Sequence, residues 1–314
     1  MNNPVPEIND NWIISQRGKK NIVTTDRPYY WLVEREVTSS NIPEDVAVIF
    51  LTNRECPFHC LMCDLWKNTT DVSVKEGDIP RQIELALEQL PPVRHLKLYN
   101  SGSFFDRHAI PENDYKKIAS ITADLKTLVV ESHPRFIDNR CIIFRDMLKP
   151  KLQVAIGLET ANEEILSKLN KKMTIEDYVR SVTFLKKNGI ASRTFILLKP
   201  PFMNENEGIH WAKRSVDFAF ESGTDCVTVI PVRPGNGAMD YLMRTKYFSP
   251  PDIRSLEKVI EYGLRLKKGL IFADLWDIDL FPCCNKCKPA RINRLSGMNI
   301  TQRIPDPVKC DCSL

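Results

Sequence analysis

Runs of β-branched and apolar residues alternate with amphipathic stretches along most of this chain, and this alternation constrains the fold more than any other feature. The apolar runs predict strands at residues 45–51, 95–100, 126–132, 152–159, 192–200 and 224–232. Stretches with helical spacing lie between them, such as IPRQIELALEQL at 79–90. About six consecutive β-α units predict an α/β fold whose parallel sheet closes, fully or partly, into a (β/α)6 TIM-like barrel.

The alternation weakens at both ends of the chain, which predicts three segments. Residues 1–44 are expected to form an irregular N-terminal lead-in, and residues 45–240 the core barrel. Residues 241–314 are expected to form a C-terminal extension with a helix and a cysteine-bearing tail. Barrels of this kind place active-site groups where strands end and loops begin, so functional residues are expected in the loops that follow the apolar runs.

Composition indicates a cytoplasmic protein in a reducing environment. Residues 1–20 are polar where a signal peptide needs its apolar core. No run approaches the length of about eighteen apolar residues that a transmembrane helix needs, so no membrane association is expected. Ten cysteines in 314 residues are too few for a small disulfide-stapled secreted domain. The net charge of +4 permits an anionic substrate but does not require one.

Three cysteines crowd the loop that follows the first predicted strand. Cys56, Cys60 and Cys63 stand in C-x3-C-x2-C spacing within ECPFHCLMCDLW. One buried face of a helix gives the same spacing, but Pro57 disfavours helical geometry at Cys56. A zinc site with His59 as its fourth ligand is a second alternative, although zinc ligands usually come as two separated half-sites. Three soft thiolates on one short loop favour a [4Fe-4S] cluster with one iron open to another ligand.

This loop resembles the signature of the radical S-adenosylmethionine (SAM) superfamily, whose members share a partial β/α barrel. The resemblance implies that the three cysteines hold a [4Fe-4S] cluster and that SAM chelates the open iron. Reductive cleavage of SAM would then give methionine and a 5′-deoxyadenosyl radical that abstracts hydrogen from the substrate. An electron donor such as flavodoxin or ferredoxin is also implied. Met62 stands where relatives usually carry an aromatic residue near the adenine.

The resemblance assigns further cofactor-binding residues to the ends of later strands. After the second strand, relatives carry a glycine-rich turn that contacts the amino group of the cofactor, and the matching residues are Asn100, Ser101, Gly102 and Ser103. An ordinary turn is the alternative for these four residues. Glu131 and Glu159 end the third and fourth strands, where a carboxylate could bind ribose hydroxyls or the methionyl group. Arg193 begins the next strand, and its guanidinium suits the methionine carboxylate.

Three hypotheses about function follow. The segments GLET, LNKKMT, YNSGSFFD and ILLKPPFMNE are similar to the branch that contains the Elongator catalytic subunit and the archaeosine-forming tRNA enzymes. The chain is then a radical SAM enzyme acting on a small molecule, the same kind of enzyme acting on a tRNA base, or a non-catalytic iron–sulfur or zinc scaffold. The second is disfavoured because no recognisable RNA-binding appendage or acetyltransferase domain is expected to fit within 314 residues. The open ligand position disfavours the third, because structural metal sites are normally closed. No catalytic residue is predicted.

The C-terminal tail contains a second group of cysteines, in the sequences CCNKC and CDC. Two half-sites separated by a loop favour structural zinc, with an auxiliary iron–sulfur cluster or free thiols as alternatives. Five cysteines exceed the four ligands of such a site, so either Cys283 or Cys284 is spare. The predicted ligands are Cys284, Cys287, Cys310 and Cys312.

Overall fold

In the described part of the chain, eight strands form one curled sheet, a half-barrel. The computed structural model describes residues 6–38 and 42–312. The strands lie in chain order and are β1 Tyr30–Val37, β2 Pro43–Leu51, β3 His95–Asn100, β4 Thr127–Glu131, β5 Lys151–Glu159, β6 Ala191–Leu198, β7 Cys226–Pro231 and β8 Leu270–Ala273. β1 is antiparallel to β2, and every later pair is parallel. The carboxyl ends of β2 to β8 therefore meet along one rim of the half-barrel.

Ten α-helices accompany the sheet in the described part of the chain. They are α1 Asp10–Gln16, α2 Asp78–Gln89, α3 Tyr115–Ile121, α4 Asn139–Met147, α5 Glu163–Lys168, α6 Ile175–Lys187, α7 Glu205–Ser222, α8 Ala238–Arg244, α9 Ile253–Leu266 and α10 Lys288–Thr301. Thr174 and Asn204 start α6 and α7 with reciprocal capping boxes. Among the described residues, no helix is both long and apolar enough to cross a membrane.

The six predicted strands are all present, as β2 to β7. The prediction of irregular structure before residue 45 is wrong over α1 and β1. β1 reads YWLVEREV, and its charged residues hide the apolar alternation. Two of them, Glu34 and Glu36, pair with the buried side chains of Lys97 and Arg193 across the sheet. β8 was not predicted either, because four residues are too few for a periodic signal.

The predicted segment boundaries lie within one continuous sheet. β1 pairs with β2 and β8 pairs with β7, so both flanking segments contribute strands to the half-barrel. Residues 1–5 and 39–41 of the predicted lead-in, and residues 313–314 of the predicted tail, lie outside the described residues. The division into three segments at residues 45 and 241 stays a prediction.

The two faces of the sheet differ in chemistry. One face packs against the helices through fully buried apolar residues such as Ile49, Leu98 and Ile156. Because side chains alternate along a strand, the neighbouring residues point to the concave face. That face carries charged and aromatic groups, including Lys97 and Arg193. A polar concave face at the centre of a parallel sheet marks this side, rather than the helix side, as the place for ligands.

Candidate active site

The cysteine loop joins β2 to α2 at the carboxyl end of β2. Asn236 Nδ2 donates hydrogen bonds to the carbonyls of Leu61 at 2.8 Å and Cys63 at 3.0 Å. Asn170 Nδ2 donates to the carbonyl of His59 at 2.7 Å. The loop is thus held in an irregular conformation by side chains from distant parts of the chain. Residues 55–63, all of them described, form no helix, which excludes the buried helical face as the reason for the cysteine spacing.

The three thiols of this loop, on Cys56, Cys60 and Cys63, lie in a desolvated environment. Each residue keeps some solvent contact, yet burial raises the pKa of each thiol to about 12. Three thiolates there need a compensating positive charge, and iron ions provide it, so the donor set fits a [4Fe-4S] cluster. The His59 ring lies 3.6 Å from an Asp10 oxygen and 3.9 Å from a Glu55 oxygen. It therefore faces carboxylates, which does not support the zinc alternative.

The predicted glycine-rich turn lies directly against the cysteine loop. Gly102 has a φ of +130°, and a Cβ atom at this position would lie 3.2 Å from Cys56 Cβ. Glycine is required here because both the backbone angle and the close approach disfavour any side chain. The Ser101 carbonyl accepts a hydrogen bond from Asn53 Nδ2 at 3.2 Å. Both polar side-chain atoms of Asn100 are buried without a partner in the described structure, which fits a polar ligand at this turn.

Glu159 and Lys171 form a buried ion pair at the carboxyl end of β5. Lys171 Nζ donates to Glu159 Oε1, and the two side chains are 10% and 7% exposed. Burial alone would lower the pKa of Lys171, but the Glu159 carboxylate raises it above its usual value. Gly157 makes room for the pair, since a Cβ there would lie 2.0 Å from Glu159 Oε1 and 2.2 Å from Lys171 Nζ. The pair is therefore a built feature of this rim.

Glu131 adds a neutral carboxyl group to the same cluster. Burial, opposed by the Lys171 charge and reinforced by the Glu159 charge, raises its pKa to about 8. At neutral pH Glu131 is mostly protonated and can donate a hydrogen bond. The electrostatic field of Lys171 also reaches the Cys60 thiol. The thiols, one ion pair and one neutral carboxyl group thus share a single desolvated region.

His133 connects the turn, the cysteine loop and the segment that carries Lys171. Its backbone amide donates to Ser103 Oγ at 2.9 Å, and its ring stacks on Phe58 with centroids 4.0 Å apart. Burial lowers the pKa of His133 to about 3, so the ring is neutral. Nε2 lies 2.9 Å from the Lys171 carbonyl and Nδ1 lies 3.2 Å from the Arg135 amide. The proton therefore sits on Nε2, and Nδ1 accepts.

Two predicted cofactor residues, Met62 and Arg193, lie in different surroundings. Met62 is in the cysteine loop and packs against a small apolar cluster that includes Leu61 and Leu169. Arg193 lies in the first half of β6, and its guanidinium pairs with Glu36 of β1. These contacts group Arg193 with the concave face rather than with the cysteine loop. The predicted contact between Arg193 and the methionine carboxylate of the cofactor stays a prediction. The pairing of Arg193 with Glu36 does not favour it.

A cavity of about 780 Å³ occupies the concave face. Asp64 and Leu65, which directly follow the cysteine loop, line it, and so does Tyr29, which lies close enough to Glu131 and Cys63 for their charges to interact with it. Seven aromatic side chains line its walls; they are Tyr29, Tyr30, Phe50, Tyr99, Phe195, Phe272 and Trp276. Arg233 pairs with Asp274 at 3.1 Å and with Asp277 at 3.2 Å on one side. The cavity thus combines flat aromatic side chains with ten charged residues, several of which form ion pairs.

Two cations and two carboxylates form the charged floor of this cavity. Lys97 donates to both Glu34 and Glu36, and Arg193 donates to Glu36. Burial alone would raise the pKa of Glu36, but the Arg193 guanidinium, with Lys97, lowers it to about 2. The acidic residues of β1 therefore have a structural purpose that sequence reading overlooked, because their basic partners lie far away along the chain.

The C-terminal cysteines come together in space. The Sγ atoms of Cys284, Cys287, Cys310 and Cys312 all lie within 4.8 Å of one another. Cys283 lies outside this group, so Cys283 rather than Cys284 is the spare fifth cysteine.

Sequence reasoning missed two residues that shape the site. Lys171 belongs to the segment LNKKMT, whose similarity to relatives is visible, but its pairing with Glu159 across twelve positions follows no helical or strand period. Asn236 holds the cysteine loop from 173 positions away. In the sequence, Asn236 stands between two glycines after a strand, as PGNGA. An ordinary turn has the same pattern, so the pattern does not predict that Asn236 binds the cysteine loop.

Comparison with known proteins agrees with this geometry. A family model described as the radical SAM superfamily matches residues 50–214. An uncharacterized protein of Methanocaldococcus jannaschii is 28% identical over 276 residues, which cover 81% of this chain and 74% of that protein. The archaeosine synthase subunit beta of Thermococcus kodakarensis is 27% identical over 251 residues, which cover 75% of this chain and 76% of that protein. The predicted resemblance to the branch of the archaeosine-forming enzymes is thereby confirmed.

A solved structure shares the fold. Methylornithine synthase superposes with a TM-score of 0.54 at 16% identity, covering 73% of this chain and 65% of that one. The predicted half-barrel architecture is confirmed by this likeness. The matched family consists of enzymes that use a [4Fe-4S] cluster and SAM, so the scaffold hypothesis is not retained. The family match covers more than half of the chain and includes the cysteine loop, and the chain therefore belongs to the radical SAM superfamily.

Proposed function

We propose that this enzyme binds its [4Fe-4S] cluster through Cys56, Cys60 and Cys63 and abstracts hydrogen from a substrate held in the concave cavity. The observation that carries the proposal is a juxtaposition. The desolvated thiols, the Gly102 turn and the Glu159–Lys171 pair meet at one rim, and the cavity begins beside the same loop. When bound, the cluster and SAM supply a 5′-deoxyadenosyl radical as the hydrogen-abstracting species.

The residues of the rim act by positioning SAM rather than by transferring protons. The turn of Asn100 to Ser103 offers backbone carbonyls and a buried amide without a protein partner. Glu159, fixed by Lys171, offers a carboxylate that can accept hydrogen bonds from the ribose or from the amino group of the methionyl part. Glu131 in its protonated form adds a donor that a carboxylate lacks.

The first candidate substrate is a small molecule. The cavity volume of about 780 Å³ lies within the range of about 300–1,000 Å³ that small-molecule sites occupy. Its aromatic walls favour a flat or apolar group, and its charged floor offers both donors and acceptors. Lys97 and Arg193 are each compensated by a carboxylate of β1, so the floor selects for polar groups without a strong net charge.

The second candidate substrate is a tRNA base. The relative from Thermococcus kodakarensis is named archaeosine synthase subunit beta, which favours this candidate directly. A single base extruded from its stack can insert between aromatic side chains, and the cavity walls offer several. Co-purification separates the two candidates. Bound RNA would raise the 260-to-280 nm absorbance ratio of the isolated protein, and nuclease treatment followed by repurification should lower it again.

A one-electron donor such as flavodoxin or ferredoxin completes the proposed reaction. The three cluster thiols must stay reduced until iron is inserted, so we infer a reducing cytoplasmic location. This inference concerns the chemistry of the thiols and does not depend on the identity of the substrate.

Anaerobic reconstitution tests the assignment of the cluster. Wild-type protein should take up about four irons at the N-terminal site and show the paramagnetic signal of a reduced [4Fe-4S] cluster, which should change when SAM is added. The triple variant Cys56→Ala, Cys60→Ala, Cys63→Ala should lose this signal. Cys283→Ala, which lies outside both cysteine groups, is the matched control and should keep it. An unchanged signal in the triple variant would sink the assignment.

A further inference from the structure

The four clustered cysteines of the tail have the spacing of a single metal site. Cys284 Sγ lies 3.9 Å from Cys310 Sγ, and Cys287 Sγ lies 3.9 Å from Cys312 Sγ. The remaining pairs also lie within 4.8 Å. Each pair at 3.9 Å joins one cysteine from the CCNKC sequence to one from the CDC sequence. The two half-sites predicted from sequence therefore face each other in the folded chain.

These distances discriminate between one ion and a cluster. Zinc binds four thiolates in a tetrahedron with Zn–S bonds of about 2.3 Å, which places neighbouring sulfur atoms about 3.8 Å apart. In a [4Fe-4S] cube each cysteine binds a different iron, so the four cysteine sulfurs lie much farther from one another. The observed 3.9 Å pairs match the tetrahedron of a single ion.

The surroundings compensate the charge that such a site would carry. Four thiolates and one divalent ion leave a net charge of about −2. Arg291 Nε lies 3.2 Å from Cys287 Sγ and donates to it, while Arg291 Nη1 also binds Glu257. Arg254 lies close enough to Cys312 for their charges to interact. Two arginines therefore supply the outer shell that holds metal ligands in place.

The site stands at the start of α10, which covers the free edge of the sheet. Cys287 is the residue immediately before α10. Near the other end of the helix, Asn299 exchanges two hydrogen bonds with the backbone of Ala273, at 2.8 and 2.9 Å. Gln302 does the same with Ile271, at 3.0 and 2.9 Å. The two side-chain amides thus replace the missing neighbour strand of β8.

The helix also contributes to the cavity and holds the tail. Ser296, Asn299 and Ile300 line the cavity from the side of α10. Arg294 donates to the carbonyls of Pro305 and Asp306, each at 2.8 Å, and so turns the chain back toward the start of the helix. This return brings Cys310 and Cys312 to the other two cysteines.

We propose that Cys284, Cys287, Cys310 and Cys312 bind one tetrahedral zinc ion, which fixes α10 against the edge of β8 and so completes a wall of the cavity. The ion has no open position and takes no part in the reaction. The ion links the two ends of the segment 284–312, which contains α10. Because metal binding and folding are coupled in structural zinc sites, it stabilises the folded position of α10.

Metal analysis of the full chain tests the nature of the site. Wild-type protein should contain about one zinc per chain, and the variant without Cys56, Cys60 and Cys63 should keep it. Zinc X-ray absorption should show four sulfur neighbours at about 2.3 Å. Cys310→Ser should lower the zinc content several-fold, whereas the matched control Cys283→Ser should retain it. Iron with inorganic sulfide at the tail, absence of any metal there, or loss of zinc in Cys283→Ser would each overturn the proposal.

Hydrogen exchange tests the role of the ion without any substitution. After zinc is removed from wild-type protein by a chelator, the backbone amides of Ile271 and Ala273 should exchange several-fold faster, because Gln302 and Asn299 no longer protect them. Amides of β4, four strands away from β8, are the internal control and should not change. Unchanged exchange at Ile271 and Ala273 in zinc-free protein would refute the claim that the ion fixes α10.

Discussion

Replacing Glu159 with glutamine keeps the size of the side chain and removes the charge that compensates Lys171. Both side chains are at most 10% exposed, so the variant leaves an ammonium group in a desolvated place. Loss of one partner of a buried ion pair costs about 3–5 kcal/mol. Glu131 offsets part of this cost, because without the Glu159 charge its raised pKa falls and it ionises beside Lys171. We therefore expect the free energy of unfolding to drop by about 3 kcal/mol, the lower end of that range.

Thermal unfolding of the cluster-free protein measures this cost. For a chain of 314 residues, a loss of about 3 kcal/mol corresponds to a Tm that is roughly 4–5 °C lower. The double variant Glu159→Gln, Lys171→Met removes both charges and should be more stable than Glu159→Gln alone, since no uncompensated ammonium remains. A single variant as stable as the wild type, or a double variant less stable than the single one, would refute the account of the pair.

The same substitution separates a cofactor contact from a cluster ligand. Glu159→Gln should leave the iron content of reconstituted enzyme unchanged, because the cysteines bind the iron. The Kd for SAM, measured by equilibrium dialysis, should rise about 10- to 100-fold. This factor corresponds to the binding free energy that one hydrogen bond to a charged group contributes. A lowered Tm with unchanged SAM affinity would assign the pair to stability alone.

Two further predictions concern the turn and the floor of the cavity. Gly102→Ala puts a side chain on a backbone with a φ of +130° and against Cys56. The reconstituted variant should therefore retain less iron than wild type. Gly18→Ala, where a Cβ meets nothing within 4 Å, is the control and should retain as much iron as wild type. In the folded protein the pKa of Glu36 is about 2 instead of the ordinary 4.5, because the Arg193 charge outweighs the effect of burial. The ionised carboxylate therefore stabilises the folded state by about 3 kcal/mol. This stabilisation is present above pH 4.5 and is lost as the pH falls toward 2. The Tm difference between wild type and Glu36→Gln should therefore be full at pH 7 and shrink below pH 4, and a difference independent of pH would contradict this origin.

Elements whose apolar residues form a regular local pattern could be predicted from the sequence. Six of the parallel strands, β2 to β7, have apolar runs of ordinary length, and the three cysteines of the loop lie within eight residues of one another. β1 escapes this reasoning because Glu34 and Glu36 look like surface residues until their partners Lys97 and Arg193 are placed beside them. Local patterns carry no information about such long-range pairing.

The site divides in the same way. The turn around Gly102 follows from its position after a strand, and the structure places it against Cys56. Lys171 and Asn236 act through contacts between segments that are distant in sequence, so no spacing rule finds them. Arg193 stays a predicted cofactor contact, but its charge is matched by Glu36, a partner that the local sequence around a strand does not reveal.

Formation of 5′-deoxyadenosine is the most direct test of the central claim. Cluster-loaded wild-type protein that binds SAM, reduced with dithionite, should release methionine and 5′-deoxyadenosine in equal amounts, slowly without its substrate and faster with it. The variant without Cys56, Cys60 and Cys63 should release neither. If the loaded wild-type protein produces no 5′-deoxyadenosine with any reductant, with candidate small molecules or tRNA present, the proposed function is wrong.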